Sequence, residues 1–261
     1  MSLVVVCSAT VLKPIRFMYD NWLDDATLTS SSVNSEFPLA NFQQIWKKKC
    51  SRTTGCTSEW FTADLGSSKA ISAFALAFHN FQAGATVHLM LNDTDVWTAP
   101  SVDETLTVYS DYLIKMWDTP YTHRYVHWTV VDATNPDAVL IQGRPFIGTW
   151  WAPSRNFDNN YKRNPIDPST KRESITGQIS STNRAKRRVL GYQFTDLSEA
   201  DRITLEAMFD IVGTSIPYFI AQNPDDLSTR FFYAQNTEDF VFTHVAMEQY
   251  FNLNISFKEA Q

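Results

Sequence analysis

The chain has 261 residues, of which 44% are hydrophobic, 14% aromatic and 19% charged, so it supports a buried core and is not disordered in its main state. Lys and Arg number 22 against 28 Asp and Glu, and the net charge of −6 disfavours a general nucleic-acid binder. The length accommodates two domains, and 8 glycines without a short period exclude a Gly-rich fibre. Taken in order, Val4–Val6 reads as a first strand. Trp60–Gly66 reads as a strand running into a turn, with the Asp64 carboxylate capping it. Ala70–Asn80 places Phe74, Leu76 and Phe78 on one face and Ala73, Ala75 and Ala77 on the other. Thr86–Leu91 alternates Val87, Leu89 and Leu91 with Thr86, His88 and Met90. Arg124–Asp132 alternates Val126, Trp128 and Val130 with Tyr125, His127 and Thr129. Val139–Ile147 supplies a further strand or two, with Gly143 and Gly148 suited to bulges or close backbone approach. Asn135-Pro136-Asp137 is a turn by its chemistry. Short strands of period two divided by turn residues predict a β-sandwich or jelly roll. Phe74, Leu76, Phe78, Val126, Trp128 and Val130 are its expected inward residues.

After Trp151 the apolar periodicity fades, which predicts a domain boundary between Ile147 and Pro153. Residues 152–190 carry nine Lys and Arg against three Asp and Glu. Residues 191–261 carry three against eleven. This asymmetry marks Arg155, Lys162, Arg163, Arg184, Lys186, Arg187 and Arg188 as candidate inter-subunit contacts, facing an acidic patch on a second copy. In the last part, Ser198 followed by Asp201 resembles a capping box. Leu205, Met208, Phe209 and Val212 then form one apolar stripe, and Gly213 stops the helix, at about 198–212. Ile216–Ala221, Thr229–Ala234, Asp239–Met247 and Tyr250–Lys258 read as strands. The expected division is 1–150, a basic arm at 151–190, and a small β domain with one helix at 191–261.

The sequence has no phosphate-binding glycine loop, no His-Glu-x-x-His and no Gly-x-Ser-x-Gly. The five histidines, His79, His88, His123, His127 and His244, are scattered, and structural roles are expected for them. His79 and Asp64 would make an acid–base pair only if the fold brought them together. Cys7, Cys50 and Cys56 cannot all pair. Free thiols are expected, although Cys50 and Cys56 could close a short loop in an oxidising space. Asn92-Asp93-Thr94-Asp95 offers oxygen ligands to calcium but too few for a full shell, so no cofactor is assigned. Trp46, Trp97, Trp117 and Tyr121 lie near expected turns and are candidate glycan-stacking residues. Trp150 and Trp151 are expected at the domain junction. The N-terminus lacks the charged start and cleavage site of a signal peptide. No apolar run approaches the ~20 residues of a spanning helix, so membrane insertion is not expected.

Two resemblances organise these elements. Phe37-Pro38-Leu39-Ala40-Asn41-Phe42, Trp46, Arg52, Glu59 to Gly66, Ile71 and Phe78-His79-Asn80 follow one another as in the discoidin-like, galactose-binding-like family. That resemblance covers about half the chain and implies a jelly roll. A second spans nearly all of it. Asp64-Leu65-Gly66, His79-Asn80, Arg124-Tyr125-Val126, Asn135-Pro136-Asp137, Gly143 to Gly148 and Trp151-Ala152-Pro153 recur in this order in bacteriophage and prophage tail proteins. The C-terminal part resembles the sandwich of tail-tube and distal-tail proteins. This likeness implies a non-catalytic virion structural protein of the tail tip or baseplate, assembled in the host cytoplasm. Its implied partners are other tail proteins and copies of itself, in a sixfold ring or alternatively a threefold one. The alternative function is an adhesin module that recognises host surface glycans through jelly-roll loops.

Overall fold

The computed structural model describes residues 13–159, 161–245 and 250–260. The strand expected at Val4–Val6 and the thiol of Cys7 lie outside them, as do the last residues of the strand expected at Asp239–Met247. In chain order the strands are β1 (Arg16–Met18), β2 (Thr27–Ser30), β3 (Ser51–Arg52), β4 (Glu59–His79), β5 (Thr86–Asn92), β6 (Val102–Leu106), β7 (Tyr112–Val131) and β8 (Ile141–Gly148). There follow β9 (Lys162–Ile166), β10 (Thr170–Glu173), β11 (Ile179–Thr182), β12 (Arg187–Ser198), α1 (Glu199–Val212), β13 (Tyr218–Ala221), β14 (Phe231–Asn236), β15 (Phe242–Val245) and β16 (Tyr250–Glu259). The protein is mainly β, as expected.

The first sheet has the order β3-β8-β4-β7-β5-β6, with β2 also paired to β4. Its two long strands carry it around a core. Glu59–Asp64 of β4 pairs with Tyr125–Val130 of β7, and Ala73–Ala77 pairs with Tyr112–Met116. Between these stretches the register slips twice, after Asp64 and after Ile71, and bulges of this kind bend a strand and increase its twist. Both halves therefore face one interior, the folded form of a jelly-roll sandwich. Trp128 is fully buried, with ring centroids 5.3 Å from Phe61 on one half and 5.6 Å from Phe74 on the other. Val87, Leu89, Leu91, Leu76, Val126 and Val130 fill the same core.

Two local expectations are corrected here. The strand does not stop at Gly66, which adopts φ +75° inside β4, and the chain continues in the strand to His79. The Asp64 carboxylate does accept the Gly66 N–H at 2.8 Å. Phe78 is not an inward residue. Its φ of +71° breaks the alternation, its N–H donates to the Asp111 carbonyl at 2.7 Å, and His79 turns inward in its place. Gly143 does mark a close approach, because a Cβ there would lie 2.1 Å from the Lys47 carbonyl oxygen.

The second sheet runs β1-β13-β14-β16-β12-β9, with β15 also on β16. Leu253, Ile255 and Phe257 of β16 share its core with Leu190, Tyr192 and Phe194 of β12. The helix α1 seats Leu205, Met208 and Val212 on that core. Its capping box is complete: Ser198 and Asp201 exchange side-chain and backbone hydrogen bonds, and Gly213 closes the helix at φ +50°.

The boundary expected near residue 150 places β1 wrongly. Arg16–Met18 pairs with β13, so the second sheet begins before the sandwich and resumes after it. Sequence alternation cannot reveal this, because three residues are too short to carry a period. The Phe17 and Trp151 backbones exchange hydrogen bonds of 2.7 and 2.9 Å, closing the sandwich at its stem. The arm at 151–190 is likewise divided. Residues 162–166 and 187–190 pair as β9 and β12 within the second sheet, while β10 and β11 form a separate hairpin whose residues are all exposed. The two sheets meet across small side chains. Ala73, Ala75 and Ala77 pack with Phe219, Phe231 and Tyr233, and the Tyr233 hydroxyl donates to the Ile45 carbonyl at 2.6 Å.

Candidate functional site

The alternation that sends Phe61 and Trp128 inward sends Trp60, Thr62 and His127 to the outer face of the sandwich. Thr62 and His127 are direct cross-strand partners on β4 and β7. Their side chains are joined at 2.7 Å, from the Thr62 hydroxyl to His127 Nδ1. Trp60 lies beside them with its ring 5.6 Å from the imidazole and 26° from parallel. The third ring comes from the loop between β5 and β6. Asn92 shapes that loop, donating to the Val96 carbonyl at 2.7 Å and accepting from Ser101 at 3.2 Å. The loop brings Trp97 onto His127 at 4.4 Å and 19°, while the Trp97 indole N–H donates to Asp95 at 2.7 Å.

Trp60, Thr62, Asp95, Trp97 and His127 line an open cleft of about 390 Å³. Burial pushes the His127 pKa down from 6.5 to about 4, with Asp95 opposing the shift weakly, so the imidazole is neutral at neutral pH. The imidazole is thus buried against the two indoles, and the aromatic surface that the cleft presents is that of Trp60 and Trp97. Asp95 is exposed at its rim, and its second carboxylate oxygen remains able to accept a hydroxyl.

Of the residues expected to stack on a glycan, Trp97 alone lines this cleft. Trp46 is 57% exposed on the loop before β3, beside Arg187 and Pro217. Trp117 is buried in the sandwich core, donates to Glu104 at 3.3 Å and meets Tyr121 edge-on at 5.6 Å. Tyr121 is exposed. Trp150 donates to the Trp117 carbonyl at 2.8 Å and lies under the Arg16 guanidinium, while Trp151 stacks on Phe17.

The basic residues are also dispersed. Arg155 pairs with Asp196 at 2.5 Å. Lys162 and Arg163 lie on β9, and Arg184 and Lys186 are exposed beyond β11. Arg187 is half-buried at the start of β12. Arg188 is not a free contact charge: Glu259 holds it as an ion pair, and its guanidinium lies over Phe232. Asp64 and His79 do not meet. Arg124 grips Asp64 with two bonds of 2.7 and 2.8 Å, whereas His79 stacks on Phe81. The Asn92–Asp95 oxygens diverge, with Asp93 against His123 and Asp95 on Trp97. Cys50 and Cys56 are separate buried thiols.

Sequence reasoning missed Trp60, Thr62, Asp95 and His127. The available signal was the outward register itself. An aromatic and an imidazole fall on the solvent face of strands whose other face is fixed by Phe61 and Trp128.

No protein-family model matches the chain, and no curated protein sequence matches it. Solved structures that resemble it include the lectin domain of lectinolysin complexed with Lewis B antigen, with 12% identity and a TM-score of 0.42, covering 51% of this chain and 98% of that one. A Streptococcus pneumoniae fucose binding module, SpX-3, has 9% identity and a TM-score of 0.41, covering 50% and 98%. The family 32 carbohydrate-binding module of C. perfringens NanJ in complex with galactose has 8% identity and a TM-score of 0.40, covering 52% and 99%.

Proposed function

We propose that this chain is a non-catalytic carbohydrate-binding protein whose ligand stacks in the Trp60–Trp97–His127 cleft. The observation that carries the reading is the stack itself: two indoles flank one neutral imidazole on an open sheet face, beside a carboxylate. The C–H face of a pyranose packs on such rings, and a rim carboxylate fixes its orientation through hydroxyls. The test is a glycan array with the parent chain and Trp97→Ala, followed by titration of tryptophan fluorescence with any glycan retained. The expected result is saturable binding by the parent and at least a tenfold loss in the variant with its melting temperature unchanged. A parent that retains no glycan, or a variant that binds as the parent does, overturns the reading.

A second reading is compatible with the first and is favoured by the β10–β11 hairpin. It exposes Ile175 and Ile179, at 108% and 65%, on a segment rich in cations. Apolar side chains on a projecting hairpin suit a contact with a neighbouring subunit. In this reading the chain is a structural component of a bacteriophage tail tip or baseplate. It forms a homo-oligomeric ring, sixfold or alternatively threefold, among other tail proteins in the virion. Lys171, Arg172, Arg184 and Lys186 changed together to Glu then weaken assembly in mass photometry without loss of fold. A parent that stays monomeric alone and in a particle removes this reading.

A further inference from the structure

A second recess lies where the two sheets and the arm meet. It has a volume of about 320 Å³ and is assembled from five separate parts of the chain, one of them Pro165 of β9. The loop before β3 contributes Lys47 and Lys48, the turn into β7 contributes Asp111 and Tyr112, and the segment entering β12 contributes Lys186 with Arg187 and Arg188. Glu259 closes it from β16.

Charge here is unbalanced. Glu259 is committed to Arg188, through both its guanidinium and its backbone N–H. Lys47, Lys48 and Lys186 form no ion pair among the described residues, and Asp111 is the one other carboxylate on the wall. Lys47 is held in place. Its carbonyl lies against Gly143, where a side chain would clash, and the Cys50 thiol contacts the Lys47 and Lys48 carbonyls at 3.6 and 3.3 Å. Burial lowers the Lys47 pKa, and its charged neighbours Lys48 and Arg188 act in the same direction against the pull of Glu259 and Asp111.

We propose that this recess binds an oxyanion, phosphate or carboxylate, carried on a ligand of about monosaccharide size, with Lys47, Lys48 and Lys186 as its charge partners. Lys48 and Arg188 oppose the charge on Lys47, and a bound oxyanion would offset that repulsion while accepting hydrogen bonds from the lysines that line the recess. The volume falls at the small end of the range of ligand sites. Tyr112, packed edge-on against Phe231, lines one wall. This site is independent of the aromatic cleft.

The test is isothermal titration calorimetry at low salt with inorganic phosphate, glucose 6-phosphate, glucuronate and glucose as probes. The parent is expected to bind the three anions saturably, the two sugar anions more tightly than phosphate, and any glucose binding is expected to be lost in Trp97→Ala while anion binding is kept. Lys48→Gln with Lys186→Gln is expected to weaken glucose 6-phosphate by about tenfold, the loss of roughly 1.4 kcal/mol of binding free energy. Lys171→Gln with Arg172→Gln, on the hairpin, and Trp97→Ala, in the cleft, are expected to leave it unchanged. Circular dichroism checks that each variant folds, and Lys47→Gln serves as the second variant. Absence of saturable anion binding by the parent overturns the proposal. So does equal weakening by the hairpin pair, which reports general surface charge. Phosphate binding as tightly as glucose 6-phosphate overturns the sugar-sized part.

Discussion

The two halves of β4 begin from the same pattern and end in different surroundings. Each half points large residues at one core, Phe61 on one and Phe74 and Leu76 on the other. They differ in what the outer face carries. Ala73, Ala75 and Ala77 let the second sheet approach, and that face is buried. Trp60 keeps part of its face open, and a loop folds over Thr62 and His127 beside it to make the cleft. Side-chain volume on the non-core face therefore decides whether a strand of this sandwich becomes an interface or a binding surface.

The comparison is broken most severely at the residue both halves share. Trp128→Ala is expected to cost about 3–5 kcal/mol in chemical denaturation, because it empties the contact between the halves. A loss below about 1 kcal/mol would show that the halves do not depend on one core. Next in size, Ala75→Leu is expected to cost about 1–3 kcal/mol by overpacking the interface, whereas Thr129→Leu on the open face stays within about 0.5 kcal/mol. Equal effects at the two positions would erase the distinction.

A graded effect comes from pH. His127 in the fold has a pKa depressed from 6.5 to about 4 by burial, so the unfolded chain binds this proton more readily. Its contribution to stability is complete above pH 6.5 and is lost as the pH falls toward 4. The melting temperature is expected to drop across that window, and to drop less in His127→Gln. An identical profile for the variant would place the pH response elsewhere. The smallest effect on stability is expected at Trp97→Ala, within about 0.5 kcal/mol, since its ring rests on the surface.

The sequence reading recovered the inward faces because a two-residue period survives wherever one face is buried. Val126, Trp128 and Val130 sit where alternation puts them, and the capping box of α1 was visible in four letters. Phe78 escaped because a positive φ at a non-glycine residue leaves no mark in hydrophobicity. The cleft escaped for two reasons. Alternation ranks residues by burial and so discards Trp60 and His127 as merely outward. The approach of Trp97 depends on the side-chain bonds of Asn92, which are tertiary in origin. The ion pair of Arg188 is hidden for a related reason: its partner Glu259 is 71 residues away.

The return of the chain at Trp151 to pair with Phe17 has a mechanical consequence. Tension entering before β1 and leaving after β16 is carried across the rungs β1-β13-β14-β16, because those strands are neighbours in one sheet. The sandwich hangs beside that path as a side loop clasped at its neck. Optical-tweezer extension would then rupture the second sheet first and leave the aromatic cleft unloaded until the Phe17–Trp151 clasp gives way.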